Sequence, residues 1–380
     1  MCRGNPLATI CRAFRFAASL FICLFVFLIC NSASVYGQSR AGYGQVLDAA
    51  KKEGKVVVSI PASAEFRRQL EEGFRKRFGI NVEVFTARGS SAVRRMADEF
   101  KAGVKHFDLH IGGSSSAVSG LLDEAVLDPV ESLLILPEVK DPKQWWGGHI
   151  WVDNAGKYIY SFNAYLTESI WYHTESVKAA ELRSYDDLLN PKWKGKIGYL
   201  DPRSPGAGDS NWSFMWEVKG EEYLRKLVSQ DLILGRDQRV LAEQLARGKV
   251  AVTIGLTYYS YLPFVKAGLP IKPLPALKDG TYGTGGSGNL AVIKNPPHPN
   301  ATKIFVNWLL SREGQELSTR ALGQATRRLD VDTKALKEIG VLAAKDVMGL
   351  QDYLRSENQS EEKLDKVREP ALKVAQKLLQ

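Results

Sequence analysis

The run AVTIGLTYYSYLPFVKAGLPIKPLPALKDGTYGTGGSGNLAVIKNPPHPNATKIFVNWLLSREGQ, Ala251–Gln315, decides how the rest of the chain is read. It opens on a short β-type run, Ala251–Gly255, and passes into a tyrosine cluster, Tyr258, Tyr259 and Tyr261. A proline-rich connection leads to a glycine loop, Gly283–Gly288, and to a second apolar run, Asn289–Lys294, closed by Pro296, Pro297 and Pro299. Ile304, Phe305, Trp308, Leu309 and Leu310 then share one side of a helix. A glycine loop that feeds a strand leaving one body and entering another predicts a hinge with a ligand beside it. Two lobes are expected around that hinge.

Upstream, a strand–loop–helix unit recurs: Lys55–Ile60 with Glu65–Phe78, Asn81–Phe85 with Ala92–Lys101, and Phe107–Ile111 with Ala117–Glu124. Such repetition predicts an α/β fold with parallel strands and crossover helices. The loops after those strands converge on one sheet edge, where open α/β sheets bind ligands. Ser59, Ser63, Arg88, Ser90, Ser91, Gly113 and Ser114 are therefore candidate ligand contacts. Hydroxyls and free backbone N–H groups at helix starts suit an anion or a polyol, although the same serines also serve as helix caps. Farther on, Lys196–Leu200 reads as a strand of the second lobe. Its loop, Asp201–Asp209, carries Arg203, Gly206 and Gly208 just before a helix, an anion cradle. Trp145-Trp146 is expected to pack, and His106 and His110 read as satisfied structural histidines.

At 380 residues the chain is long enough for more than one core. Residues 1–37 read as a cleavable secretory leader: Arg3, Arg12 and Arg15, the apolar run Leu20–Ile29, and then the small, polar stretch NSASVYGQ. That run is half the ~20 residues a bilayer span needs. Lipidation at Cys30 is the alternative, disfavoured by the bulk of Ile29. Every cysteine (Cys2, Cys11, Cys23, Cys30) lies in the leader, so the mature chain has no disulfide and no thiolate chemistry. The formal net charge is +9; removing three leader arginines leaves 48 basic against 42 acidic residues, or +6. The surplus is dispersed, and nucleic acid is not expected as a partner.

The segments Leu188–Gly208, Leu245–Gly255 and Asn295–Glu316, in that order, resemble the extracellular solute-binding proteins of ABC transporters, in particular the ferric-iron-type, type 2 periplasmic binding family. The resemblance covers about Lys55 to Arg328. It implies a two-lobed fold, each lobe a mainly parallel sheet flanked by helices, with the ligand cleft at a hinge crossed twice. The implied division is 38–172 and 286–331 for the first lobe, 173–285 for the second and 332–380 for a helical appendage on the first. Crossings are implied near Tyr172-His173 and Gly286–Leu290, which adds Ser287 and His173 to the ligand candidates; the family usually has asparagine where His173 stands. It further implies a periplasmic monomer, with no cofactor, that delivers a small-molecule solute to a permease in the inner membrane, or serves a sensor receptor.

The frame is shared by binders of very different solutes. Tyr258-Tyr259 resembles the tandem tyrosines that hold Fe³⁺ in the iron binders, so these two are the metal ligands on that reading. The histidine and glutamate of the iron pattern are replaced here by Pro61-Ala62-Ser63 and Gly113-Ser114-Ser115. Serine and glycine loops with Arg88 and Arg203 offer donors without acids, and that favours a phosphorylated or carboxylated solute. HExxH, GxxxxGK[ST] and GxSxG are absent, and no enzymatic activity is expected.

Overall fold

Six short strands come first: β1 Lys55–Ile60, β2 Asn81–Thr86, β3 Leu109–Gly112, β4 Leu127–Asp128, β5 Ile150–Trp151 and β6 Ile159–Ser161. The computed structural model describes residues 42–87, 89–167 and 170–380. The expected leader, 1–37, and Arg88 lie outside the described residues. After β7, Tyr165–Thr167, five strands build a separate sheet: β8 Ile170–His173, β9 Ile197–Leu200, β10 Ile233–Gly235, β11 Val252–Ile254 and β12 Ile271–Pro273. Then β13, Gly283–Thr284, leads back to β14, Asn289–Ile293, which lies in the first sheet between β3 and β6. The last strand is β15, Val341–Ala343.

The result is two lobes. In the first sheet β1 pairs in parallel with β2 and β3, and β14, β6, β4 and β5 complete it through antiparallel pairs. In the second, β9 pairs in parallel with β10 and β11, and β8 and β12 are antiparallel. Parallel pairing is thus confined to a three-stranded nucleus in each lobe. Strand alternation feeds two helix layers. Val56, Val58 and Ile60 face the core built with helices Ala64–Phe78 and Pro299–Leu310, while Val57 faces the opposite core with Val93 and Met96. The second sheet behaves alike, Ile197 and Tyr199 facing one core and Leu200 the other. Among the described residues no helix is long and apolar enough to cross a membrane.

The two crossings are β7 and β13, which pair antiparallel with each other, with β15 on the other side of β7. The first crossing therefore precedes Tyr172-His173, which lies inside β8 and pairs with β11 and β12. The C-terminal segment is also placed differently from expectation. It straddles both lobes instead of capping the first. Leu364 packs in the first lobe's core with Val126 and Val152, whereas Ala371, Ala375 and Leu379 pack in the second lobe's. Trp212 Nε1 donates to the Ala371 carbonyl at 3.0 Å and so pins the last helix, Glu369–Leu378. An amphipathic helix shows that it covers something; it does not show which lobe.

Candidate functional site

A cleft of about 480 Å³ opens between the lobes, at the carboxyl ends of β1 and β3 on one side and of β9 and β11 on the other. Of the residues expected to meet a ligand, Ser90, Ser91, Gly113, Ser114, Gly206, Tyr258, Tyr259 and Ser287 line it. All but Ser287, which sits in the turn between β13 and β14, are there because a strand ends and a helix begins. Ser90 and Ser91 lie in the first turn of helix Gly89–Lys101, and Gly206 is the N-cap of helix Ala207–Val228.

The tyrosines open a helix, Tyr258–Lys266, that the proline-rich sequence conceals. Tyr261 anchors it: the ring stacks on Trp171 at 4.2 Å, and the hydroxyl meets Thr253 Oγ1 at 2.8 Å. That contact holds Tyr258 and Tyr259 at the cleft. Gln238 fixes the helix start, its Oε1 accepting from Thr257 N at 2.8 Å, Thr257 Oγ1 at 2.7 Å and Ser260 Oγ at 3.1 Å. Tyr259 packs against the first lobe's core, so the two lobes touch. Burial pushes the Tyr258 phenol above its ordinary range, and the ring presents a neutral hydroxyl.

Five expected contacts lie elsewhere. Ser59 is buried beneath the floor, its Oγ 3.1 Å from His110 Nδ1. Ser63 caps helix Ala64–Phe78 by accepting from Phe66 N at 3.2 Å. His173 is buried in β8, with Nδ1 3.2 Å from Ser176 Oγ. Gly208 is packed against the Leu200 carbonyl at a helix–strand junction. Arg203 is consumed within its own loop: Nε and Nη2 grip Asp201 at 2.9 Å each, and Nη1 donates to the Leu379 carbonyl at 2.5 Å. The three-residue run Asp-Pro-Arg, 201–203, was the available signal for that pairing.

The cleft also gains residues the sequence did not offer. His110 lines the floor with Nε2 lacking any hydrogen-bond partner, and Gly112 must be glycine because a Cβ there would lie 2.2 Å from that nitrogen. Burial depresses the imidazole to about 4, so it is neutral at physiological pH. Gln324 joins it, with Oε1 accepting from Ser287 N at 3.0 Å and Nε2 unpartnered. On the second lobe, Asp201 also meets Arg236 at 3.3 Å. Burial works to raise the Asp201 carboxyl, but hydrogen bonds from Arg203 and Arg236 outweigh it and hold the group below its ordinary range. Asp237 spends its carboxylate capping helix Gln238–Ala246. Among the described residues no group of three or more His, Cys, Asp or Glu is placed to hold a metal ion.

A donor-rich cleft between two α/β lobes joined by paired crossings is a frame for holding a small solute. The sequence profile of the bacterial extracellular solute-binding proteins matches residues 59–316, the span that carries both cleft walls. The chain belongs to that family. Solved structures share the fold of this solute-binding protein. The periplasmic binding protein AfuA from Actinobacillus pleuropneumoniae, with exogenous fructose-6-phosphate bound, is 18% identical, with a TM-score of 0.62 over 85% of this chain and 99% of its own. Iron-bound HitA from Pseudomonas aeruginosa is 17% identical, with a TM-score of 0.60 over 85% of this chain and 99% of its own. An uncharacterized protein of Haemophilus influenzae is 25% identical over 140 residues, 36% of this chain and only 39% of that relative's length. Family and structural neighbours are binding proteins, not enzymes.

Proposed function

We propose that this solute-binding protein is the capture component of an ABC importer. It takes a small anionic solute, phosphorylated or carboxylated, in the periplasm and delivers it to an inner-membrane permease. The observation that carries the reading is the convergence of helix N-termini from both lobes. Those of Gly89–Lys101, Ala207–Val228, Gln238–Ala246 and Tyr258–Lys266 all open on one cleft. Each brings a partial positive charge of about +0.5 to the cleft, although the first N–H groups of Gln238–Ala246 are already capped by Asp237. The cleft acids do not oppose this, because Asp201 and Asp237 are neutralised or capped in place. Closure is a rotation of one lobe on the other about β7 and β13.

The paired phenols favour a second reading, ferric iron, since both Tyr258 and Tyr259 reach the cleft. A ferric ion demands phenolates with anionic co-ligands, and the lining supplies a Tyr258 phenol held above its ordinary range and carboxylates already committed to protein partners. Native mass spectrometry of protein purified from the periplasm, followed by a thermal-shift panel of phosphate esters, phosphonates, di- and tricarboxylates and ferric salts, decides between them. Stabilisation by organic anions, lost by at least about tenfold in affinity in the Tyr258→Phe, Tyr259→Phe double variant, supports the first reading. An iron-only adduct and iron-only stabilisation reject it.

A further inference from the structure

The family match ends at residue 316, yet the cleft has a lining residue far beyond it. Arg368 closes a π-helical turn, Leu364–Arg368, and is only 5% exposed. One side of its guanidinium is fixed. Nε donates to Asp209 Oδ2 at 3.0 Å, and Nη2 donates to the same carboxylate and to the Gly206 carbonyl, the latter at 3.2 Å. Nη1 has no partner among the described residues, and it is not one of the polar atoms sealed off by protein.

We propose that the C-terminal tail completes the solute site, with Arg368 as a fixed cationic donor to the anionic group of the bound solute. The inference rests on the anionic reading of the cleft given above. An arginine offers five N–H donors in a rigid fork. Here the Asp209 carboxylate and one carbonyl orient the fork and leave the Nη1 edge for the cleft. A buried guanidinium with an unpaired edge is costly unless something accepts from it, and an oxyanion is the strongest acceptor. The backbone explains how the side chain arrives. At the start of the π turn Leu364 faces the first lobe's core, and after the turn Ala371 and Ala375 face the second lobe's. The extra residue in the turn makes that change of face and aims Arg368 between the lobes; such turns recur at functional sites. The acid it grips stands in the first turn of helix Ala207–Val228, so the arginine adds full charge to one of the helix N-termini already open to the cleft.

A purely structural pair predicts that loss of either partner acts in the same direction. A solute contact predicts opposite directions, because the Asp209 charge offsets the guanidinium's attraction for an anion, whereas an asparagine there still accepts from the same edge of the fork. The test measures inorganic phosphate, glycerol 3-phosphate and citrate by titration calorimetry on the full chain, alongside thermal melting. Arg368→Gln is expected to weaken the bound probe by at least about tenfold, while Asp209→Asn tightens it. If the Gln variant does not fold, Arg368→Lys serves instead: its ammonium still faces Asp209 but has no second nitrogen for the cleft, and the same weakening is expected. Equal losses in both variants, or no loss on changing Arg368, overturn the assignment and leave the proposed function standing. A wild-type protein that binds none of the three anions overturns both.

Discussion

Gly323→Ala tests whether the two lobes meet as described. Gly323 caps helix Arg312–Leu322 in the first lobe with φ 62°, and a Cβ built there would lie 2.2 Å from Tyr258 Cδ1 of the second lobe. Carbon atoms in contact sit about 3.5–4.0 Å apart, so a methyl group cannot share that space with the ring. The substitution has two separable costs. The left-handed backbone charges alanine about 1–2 kcal/mol whether the lobes are open or closed. The overlap with Tyr258 is felt only when the lobes are together, and overpacking of this kind costs about 1–3 kcal/mol. The first term lowers thermal stability. The second raises the Kd for any solute that needs closure by roughly 5- to 150-fold.

The methyl also meets Ile339 Cδ1 at 2.9 Å, the far end of a flexible side chain that can yield. Titration calorimetry and small-angle scattering on Gly323→Ala, Tyr258→Ala and the double variant separate the terms. The double variant is expected to bind no worse than Tyr258→Ala alone, since the clash has lost its second partner. The single variant should scatter as a more extended particle in the presence of solute. Unchanged affinity and an unchanged scattering profile in Gly323→Ala would refute a lobe contact at Tyr258 as a condition of binding.

Acid should weaken the fold through His110. Its neutral form is favoured in the folded chain, where burial sets it near 4 against about 6.5 when unfolded. The unfolded state therefore takes up the proton first, and stability present above pH 6.5 is lost as pH falls toward 4, by roughly 2–3 kcal/mol at pH 4.5. Urea unfolding at pH 7.0, 5.5 and 4.5 should show His110→Gln losing less than wild type over that range; parallel losses count against it. Arg203→Ala should lower stability by about 1–2 kcal/mol, because it strips Asp201 of its bidentate partner and frees the Leu379 carbonyl. Anion affinity measured by calorimetry should change less than about threefold, and a larger loss would return Arg203 to the site.

The sequence carried the strands and helix starts well where two local signals coincide. Lys55–Ile60 and Asn289–Ile293 combine β-branched residues with Gly, Pro or Ser boundaries, and the loops after them necessarily share an edge once the strands pair. What it could not carry depends on partners distant in the chain. Tyr258–Lys266 hides as a loop because Pro263 and three tyrosines are poor helix signals, and its stability comes from Tyr261 stacking on Trp171. Tyr172 and His173 look like a crossing, yet β11 and β12 claim both as ladder partners. Arg203 and Arg88 looked equivalent as cations in glycine- and serine-bearing loops. Only the fold shows that Asp201 turns inward to meet Arg203. His110 reads as an ordinary core histidine until its ring, seated where a Gly112 side chain would be, and its unpartnered Nε2 are seen together.

The distribution of charge between the walls has a consequence for the order of binding. Among the described residues every charged side chain lining the cleft belongs to the second lobe or to the tail docked on it: Asp201, Arg236, Asp237, Arg239 and Arg368. The first lobe lines its side with serines, glycines and the neutral His110 and Gln324. Long-range attraction scales with full charges, whereas neutral hydroxyls and amides act only at contact. On the proposed reading an anion meets the second lobe first, drawn by the helix starts and arginines, and the first lobe then closes over it with short-range donors. The first lobe's serine hydroxyls stand on the wall that arrives last, where a hydrogen bond to the solute is formed only by closure and so contributes to holding the lobes together.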